Sequence, residues 1–338
     1  MRLTMKAVGH YKYLPIDHPE SLLDVEVAEP TPQARDLLVE VKAISVNPVD
    51  TKRRAAGARP DTELKILGWD AAGVVKAVGP RASLFKPGDE VYYAGSNQRP
   101  GANSERHVVD ERIVGRKPKK LSFAEAAALP LTTITAWEAL FDRMGISKSG
   151  RDEGKRLLIL GGAGGVGSIA IQLAKKLAKL HVTASASRPE SIAWAKKLGA
   201  DATIDHTRPL REQMDAEAEY IFICTNTDPV FPQLPKLAAA QARICSIVRT
   251  VKPVDLAVLH DKSLTFALEG MFARSTYQTP DMQAQHDLLD ETAKLVDAGT
   301  VSTTFKENLG RINAANLKRA HGRLEQGHTI GKLVLEGF

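Results

Sequence analysis

The sequence predicts an α/β protein in which a mostly β domain is interrupted, in chain order, by a doubly wound parallel sheet. Three observations predict it. The first ~120 residues read as strands and turns, and the middle of the chain alternates strands with helices. Between them, "RLLILGGAGGVGSIAIQLAKKLAKL" (156–180) joins an apolar strand to a helix through a glycine-rich turn.

The length of 338 residues exceeds one ordinary core and fits about two domains. Hydrophobic residues at 43% and charged residues at 25% are those of a globular chain. No run approaches the ~20 apolar residues that span a bilayer, and "MRLTMKAVGH" lacks the apolar core of a signal peptide, so the expected address is cytoplasmic. The net charge of +6 is dispersed among 40 acidic residues, with only short clusters such as "TKRR", so nucleic-acid binding is not expected. Cys224 and Cys245 lie inside apolar runs and read as buried small hydrophobes.

In the first region "DLLVEVKAISV" alternates with a period of two, "AGVVKAVG" is short and β-branched, and "KPGDEVYYAG" sets a Pro-Gly turn before a strand. At Ser122 the texture changes: Ser122 and Glu125 form a capping box, and helical "FAEAAAL" and "TAWEALFDRMG" follow, broken at Pro130. Strand-like "RLLILGG", "HVTASAS", "ATIDH", "YIFICT" and "RICSIV" then alternate with helical "GSIAIQLAKKLAKL", "SIAWAKKLGA" and "LAAAQ". Two further helices and the strand "GKLVLEGF" close the chain. The expected division is a β-rich domain over 1–125, completed by 270–338, and a parallel-sheet domain over 126–269.

Gly162, Gly164 and Gly167 satisfy G-x-G-x-x-G, a weak signal alone. The apolar strand before them and the helical spacing of Val166, Ile169, Ala170, Leu173, Ala174 and Leu177 after them supply the context. Gly165 and Val166 then open a helix whose unpaired N–H groups suit a pyrophosphate. About 20 residues on, where NAD binding uses an acid, the chain reads "HVTASASRPES". Ser185, Ser187 and Arg188 would welcome a 2′-phosphate that an acid would repel, so NADPH is the expected cofactor.

"ISVNPVDTK", "GWDAAGVV", "FKPGDEVY", "GGAGGVGSIAIQLAK" and "GKLVLEGF" together resemble the medium-chain dehydrogenase/reductase superfamily over nearly the whole chain. Within it they look like the quinone oxidoreductase branch, and because "VDAG" and "INAANLKRAH" also match its tail the likeness is greatest to the zinc-type alcohol dehydrogenase-like subgroup. The resemblance implies a GroES-like, mostly β catalytic domain over 1–125, completed by 270–338, and a Rossmann dinucleotide-binding domain over 126–269. Zinc-dependent members carry a Cys shortly after the third strand and a Gly-His-Glu about 20 residues later. The positions here read Asn47-Pro48-Val49-Asp50 and Gly68-Trp69-Asp70, and no cysteine precedes Cys224. Asp50, Asp70 and His107 make a poor zinc set, so no metal is expected.

Without a Lewis acid, hydride transfer to an electron-poor quinone or α,β-unsaturated carbonyl is easier than alcohol oxidation. The resemblance implies a catalytic segment containing Asn47 and Asp50, with Lys52 standing where relatives carry Tyr. It also places Thr135 near the nicotinamide, where a helix N-cap is the competing role. Asn226 follows a sheet strand at the ligand edge, and Met271, Phe272 and Arg274 would wall the acceptor pocket. Family members are commonly homodimers joined through edge strands. The expected activity is therefore zinc-independent, NADPH-dependent reduction of a quinone or enone. The alternatives are an NADPH-binding redox-sensing or structural protein with little turnover and, suggested only by relatives and the basic charge, an RNA-binding protein.

Overall fold

The computed structural model describes residues 3–55 and 63–338. The chain divides into two compact units, Met1–Leu131 with Phe272–Phe338 and Thr132–Met271.

The first unit begins with β1 (Thr4–His10), β2 (Leu23–Ala28), β3 (Asp36–Ser45), α1 (Pro48–Ala55), β4 (Lys65–Ile66), β5 (Ala71–Val78), β6 (Glu90–Tyr93), β7 (Arg106–Asp110) and β8 (Val114–Arg116). In the middle of β3 buried Val39 and Val41 alternate with half-buried Glu40 and Lys42, while Leu37, Leu38, Ala43, Ile44 and Ser45 on either side are all buried. α2 (Phe123–Ala127) starts at Ser122, whose hydroxyl accepts from the Glu125 N–H at 3.2 Å while the Glu125 carboxylate accepts from the Ser122 N–H at 2.9 Å. The unit boundary falls within α3 (Pro130–Trp137), which continues as a wider π-turn over Glu138–Arg143.

The second unit contains β9 (Arg156–Leu160), α4 (Gly165–Lys176), β10 (His181–Ser185), α5 (Pro189–Lys197), β11 (Ala202–Ile204), β12 (Ala218–Ile223), α6 (Leu234–Leu237), β13 (Ala238–Ser246) and β14 (Thr265–Leu268). All pairings are parallel, in the order β11-β10-β9-β12-β13-β14. This is the doubly wound order, reversing direction between β9 and β12. Ile169, Ala170, Leu173 and Ala174 form the buried stripe of α4. One element differs from the sequence expectation. "LAAAQ" is not a helix: α6 ends at Leu237, and Ala238–Gln241 belong to β13, where buried Ala238 pairs with Ala218. At Ala238 burial and ladder pairing override the helix propensity of alanine.

The chain then rejoins the first unit through α7 (Ala273–Tyr277), α8 (Ala284–Asp297), β15 (Phe305–Asn308), α9 (Ala314–Glu325) and β16 (Lys332–Glu336). β16 lies antiparallel to β3, with Val334 opposite Ser45, and extends the sheet β15-β16-β3-β5-β6-β8. Leu317, Leu333 and Leu335 from this returning segment are buried in the same core as Val39, Ile44 and Val75. Among the described residues no helix is long and apolar enough to cross a membrane.

Candidate active site and dinucleotide loop

In the second unit, β9 ends at Leu160 and the chain turns through Gly161, whose φ of +91° lies in the left-handed region that favours glycine. A Cβ on Gly167 would stand 2.2 Å from the Gly161 carbonyl oxygen and 2.7 Å from the Gly162 Cα, so the first turn of α4 closes on the loop only without a side chain there. Gly164 precedes α4 with extended backbone and no side-chain cap. The N–H groups of Gly165 and Val166, at the start of the helix, have no intrahelical acceptor and carry the positive end of the helix dipole. This backbone cradle fits a dinucleotide pyrophosphate.

At the end of β10 the three predicted contacts separate. Ser185 is buried; its hydroxyl accepts from the Gly161 N–H at 2.8 Å and its carbonyl accepts from the Gly162 N–H at 3.1 Å. It braces the loop from beneath. Ser187 is half-buried and Arg188 exposed. Ser187 is not the cap of α5: Arg188 holds that position, its N–H donating to the Ser191 hydroxyl at 3.1 Å. Asn226 is exposed, and its side-chain oxygen accepts from the Asp228 N–H at 3.2 Å in a turn after β12. Thr135 is not a helix N-cap but sits buried inside α3, because Pro130 opens that helix five residues earlier. Met271 is buried. Burial pushes the Cys224 thiol well up and the Cys245 thiol up to about 12, so neither is a thiolate nucleophile near neutral pH.

In the first unit, Asn47, Asp50, Asp70 and Lys332 form a buried polar cluster, each at most 3% exposed. The Lys332 ammonium donates to Asp70 Oδ2 at 2.9 Å, to the Val46 carbonyl at 3.1 Å and to Asn47 Oδ1. The Asn47 amide donates to Asp70 Oδ2 at 2.8 Å and to the Trp69 carbonyl at 3.2 Å. Asp70 Oδ1 accepts from the Leu131 N–H at 2.7 Å. Asp50 takes the Asn47 N–H at 2.7 Å on one oxygen and the Gly68 N–H at 3.1 Å on the other. Burial pushes Asp50 up to about 7; the two N–H donors and Lys332 pull against this, while the Asp70 carboxylate adds to it. Burial likewise raises Asp70, opposed chiefly by Lys332. Asn47 and Asp50 are thus engaged with the protein itself, and Lys52 projects from the exposed face of α1.

The cluster does not suit zinc. Asp70 and Asn47 are committed to a cation that the protein already supplies, and a divalent ion beside that ammonium would be repelled. His107 offers no lone pair, since its Nε2 donates to the Pro100 carbonyl at 3.0 Å and its Nδ1 accepts from the Tyr93 hydroxyl at 3.1 Å. Burial holds its pKa down to about 4. Among the described residues no group of three or more His, Cys, Asp or Glu side chains could hold a metal.

Beside the cluster, Trp69 packs edge-on to Phe272 with ring centroids 6.0 Å apart, and the Arg53 guanidinium lies 5.5 Å over the Trp69 ring. Arg274 is buried and paired with Asp281 at 2.9 Å, which ties it to its own loop. The sequence reading named Asp70 only as a poor ligand and missed Lys332. Its one signal was a lysine heading the apolar run "GKLVL".

A glycine loop at the carboxyl edge of a doubly wound sheet, carried with a β unit whose polar cluster is closed by an internal ammonium, defines a nicotinamide-dependent oxidoreductase. The chain belongs to the medium-chain dehydrogenase/reductase superfamily, in its quinone oxidoreductase type. Residues 33–137 match the alcohol dehydrogenase GroES-like domain and 165–291 the zinc-binding dehydrogenase model. A zinc-type alcohol dehydrogenase-like protein of Staphylococcus aureus (strain MSSA476) is 41% identical over 98% of this chain and 99% of its own. The tomato (Solanum lycopersicum) 2-methylene-furan-3-one reductase is 39% identical over 64% of this chain and 56% of its own. A Rhizobium etli CFN 42 structure, provisionally described as a zinc-dependent alcohol dehydrogenase, is 50% identical with a TM-score of 0.95, covering 100% of this chain and 99% of that one. The quinone oxidoreductase of Coxiella burnetii is 25% identical with a TM-score of 0.83, covering 99% of this chain and 100% of that one.

Proposed function

We propose that the protein reduces quinones or α,β-unsaturated carbonyls with NADPH, without a metal. The observation that carries this reading is the Lys332–Asp70 pair at 2.9 Å, which engages the cluster that zinc-dependent relatives would use for metal. An enzyme without a Lewis acid is suited to acceptors that are already electron-poor. When bound, NADPH supplies the hydride.

The N–H groups at Gly165 and Val166, on the frame of Gly162, Gly164 and Gly167, hold the pyrophosphate. Arg188 and Ser187 take the 2′-phosphate, while Ser185 holds the loop in shape through Gly161. Thr135 and Asn226 serve the nicotinamide end. On the acceptor side, the Lys52 ammonium stabilises negative charge developing on the acceptor oxygen, and Asn47 and Asp50 set the helix that carries it. The Trp69–Phe272 pair with Arg53 suits a flat conjugated acceptor; Arg274, in the same unit, and Met271 are the further acceptor-side candidates. The tomato relative is named for 2-methylene-furan-3-one, an exocyclic enone, which supports this acceptor class.

We further infer a homodimer, supported by β14 at the outer edge of the parallel sheet with Leu268 58% exposed. Sedimentation at micromolar concentration reads the assembly, and a monomer would refute it.

The test of function is oxidation of NADPH and NADH in the presence of EDTA with 9,10-phenanthrenequinone and with 3-penten-2-one. Turnover with either acceptor, preferring NADPH, is expected. Tight NADPH binding with no acceptor reduction would replace the enzyme by the redox-sensing alternative.

A further inference from the structure

We propose that Lys332 is a positioning residue for acceptor reduction: its buried ammonium fixes the start of α1 and so aims the segment that carries Lys52. The proposal rests on the functional reading above.

An ammonium has three N–H donors, and here each has an acceptor: Val46 carbonyl, Asn47 Oδ1 and Asp70 Oδ2. These acceptors belong to two segments distant from β16 in sequence, the connection from β3 to α1 and the turn before β5. The register explains the meeting. Val334 lies opposite Ser45 in the antiparallel pair, and two residues further out the same register sets Lys332 opposite Asn47.

The consequence passes through Asn47. With Oδ1 held by Lys332 and Nδ2 by Asp70, the amide cannot turn to cap α1 in the usual way. The Asp50 carboxylate instead reaches back across the start of α1 to accept the Asn47 N–H, while the Asp50 N–H donates to the Asn47 carbonyl at 2.9 Å. Lys52 stands two residues beyond Asp50 on that helix. A core position needing only volume would be filled as well by an apolar side chain, since buried ion pairs rarely exceed well-packed hydrophobes in stability. What an apolar residue would not do is orient Asn47 and Asp70. The charged groups facing the cluster are Asp50, Asp70 and Lys332.

The experiment uses the full-length protein as wild type, Lys332→Met and Lys332→Arg, with NADPH and 9,10-phenanthrenequinone. For Lys332→Met, kcat is expected to fall at least 30-fold while the NADPH Kd stays within 2-fold. Lys332→Arg, which keeps the charge, should recover kcat to within 5-fold of wild type. Amide hydrogen exchange over residues 47–55 should accelerate at least 10-fold in Lys332→Met, with 156–176 and β3 unchanged. Retention of kcat within 3-fold in Lys332→Met, unchanged exchange over 47–55, or exchange rising uniformly through β3 and β5 overturns the proposal. If Lys332→Met does not fold, Lys332→Gln, whose neutral amide has too few N–H groups to serve Val46, Asn47 and Asp70 together, carries the same readouts and the same limits. A wild type that reduces no acceptor defeats the functional reading alone; the exchange over 47–55 then decides the clamp by itself.

Discussion

Lys332 and Asp70, 262 residues apart in sequence, meet at 2.9 Å with both side chains almost wholly out of water. Asp70→Asn exchanges one of two accepting oxygens for an N–H donor, which must face either Lys332 and Asn47 or the Leu131 N–H, and it leaves the ammonium without its counter-charge. Removing one partner of such a buried pair costs about 3–5 kcal/mol. Chemical denaturation of the variant should show a loss in that range. A loss under about 1 kcal/mol would place the pair with exposed surface bridges and refute the assignment.

The glycine loop makes a paired prediction. Gly167→Ala puts a methyl group 2.2 Å from a backbone oxygen, whereas Gly164→Ala meets nothing nearer than the Gly161 oxygen at 3.5 Å. NADPH affinity by fluorescence titration should fall at least 30-fold for the first and less for the second. Equal effects would mean that α4 does not close on the loop as described.

Ser185 and Arg188 separate framework from recognition. Ser185→Ala leaves the Gly161 N–H without its acceptor, at a cost of about 1–3 kcal/mol, and should weaken NADPH and NADH binding alike. Arg188→Ala should weaken NADPH by 10-fold or more and leave NADH nearly unchanged. An unaltered NADPH-to-NADH ratio in Arg188→Ala would return the 2′-phosphate site to the unknown.

Glu269 gives a pH prediction. Burial, together with the neighbouring Glu138 carboxylate, pushes its pKa up to about 9, with Arg143 opposing at 2.8 Å. The folded protein therefore retains a proton that the unfolded chain releases above the ordinary glutamate range. This contribution to stability is complete at low pH and is lost as pH rises toward about 9. The urea midpoint of wild type should fall between pH 5 and pH 9, and Glu269→Gln, neutral but still able to accept from Arg143, should flatten that fall. A midpoint as pH-dependent in Glu269→Gln as in wild type would show that the proton sits elsewhere.

Local pattern carried much of this reading. The period-two run of β3, the Ser122–Glu125 capping box and the strand–glycine–helix passage at 156–176 depend on neighbours a few residues apart, and the structure contains all three. The misreadings arose where distant contacts outweigh local preference. Ala238, at the head of β13, became strand through its pairing with Ala218 of β12, and Thr135 became a helix-interior residue once Pro130 set the start of α3.

The sequence alone determined that a dinucleotide loop follows the first strand of a parallel sheet, because steric closeness at Gly167 and the exposed N–H groups of a helix start are written into adjacent residues. It also determined which segments hold Asn47 and Asp70. Only the tertiary structure decided what those two side chains face. The antiparallel register of β16 on β3 carries Lys332 to Asn47, and a charge buried that way must be matched by whatever the fold brings within 3 Å.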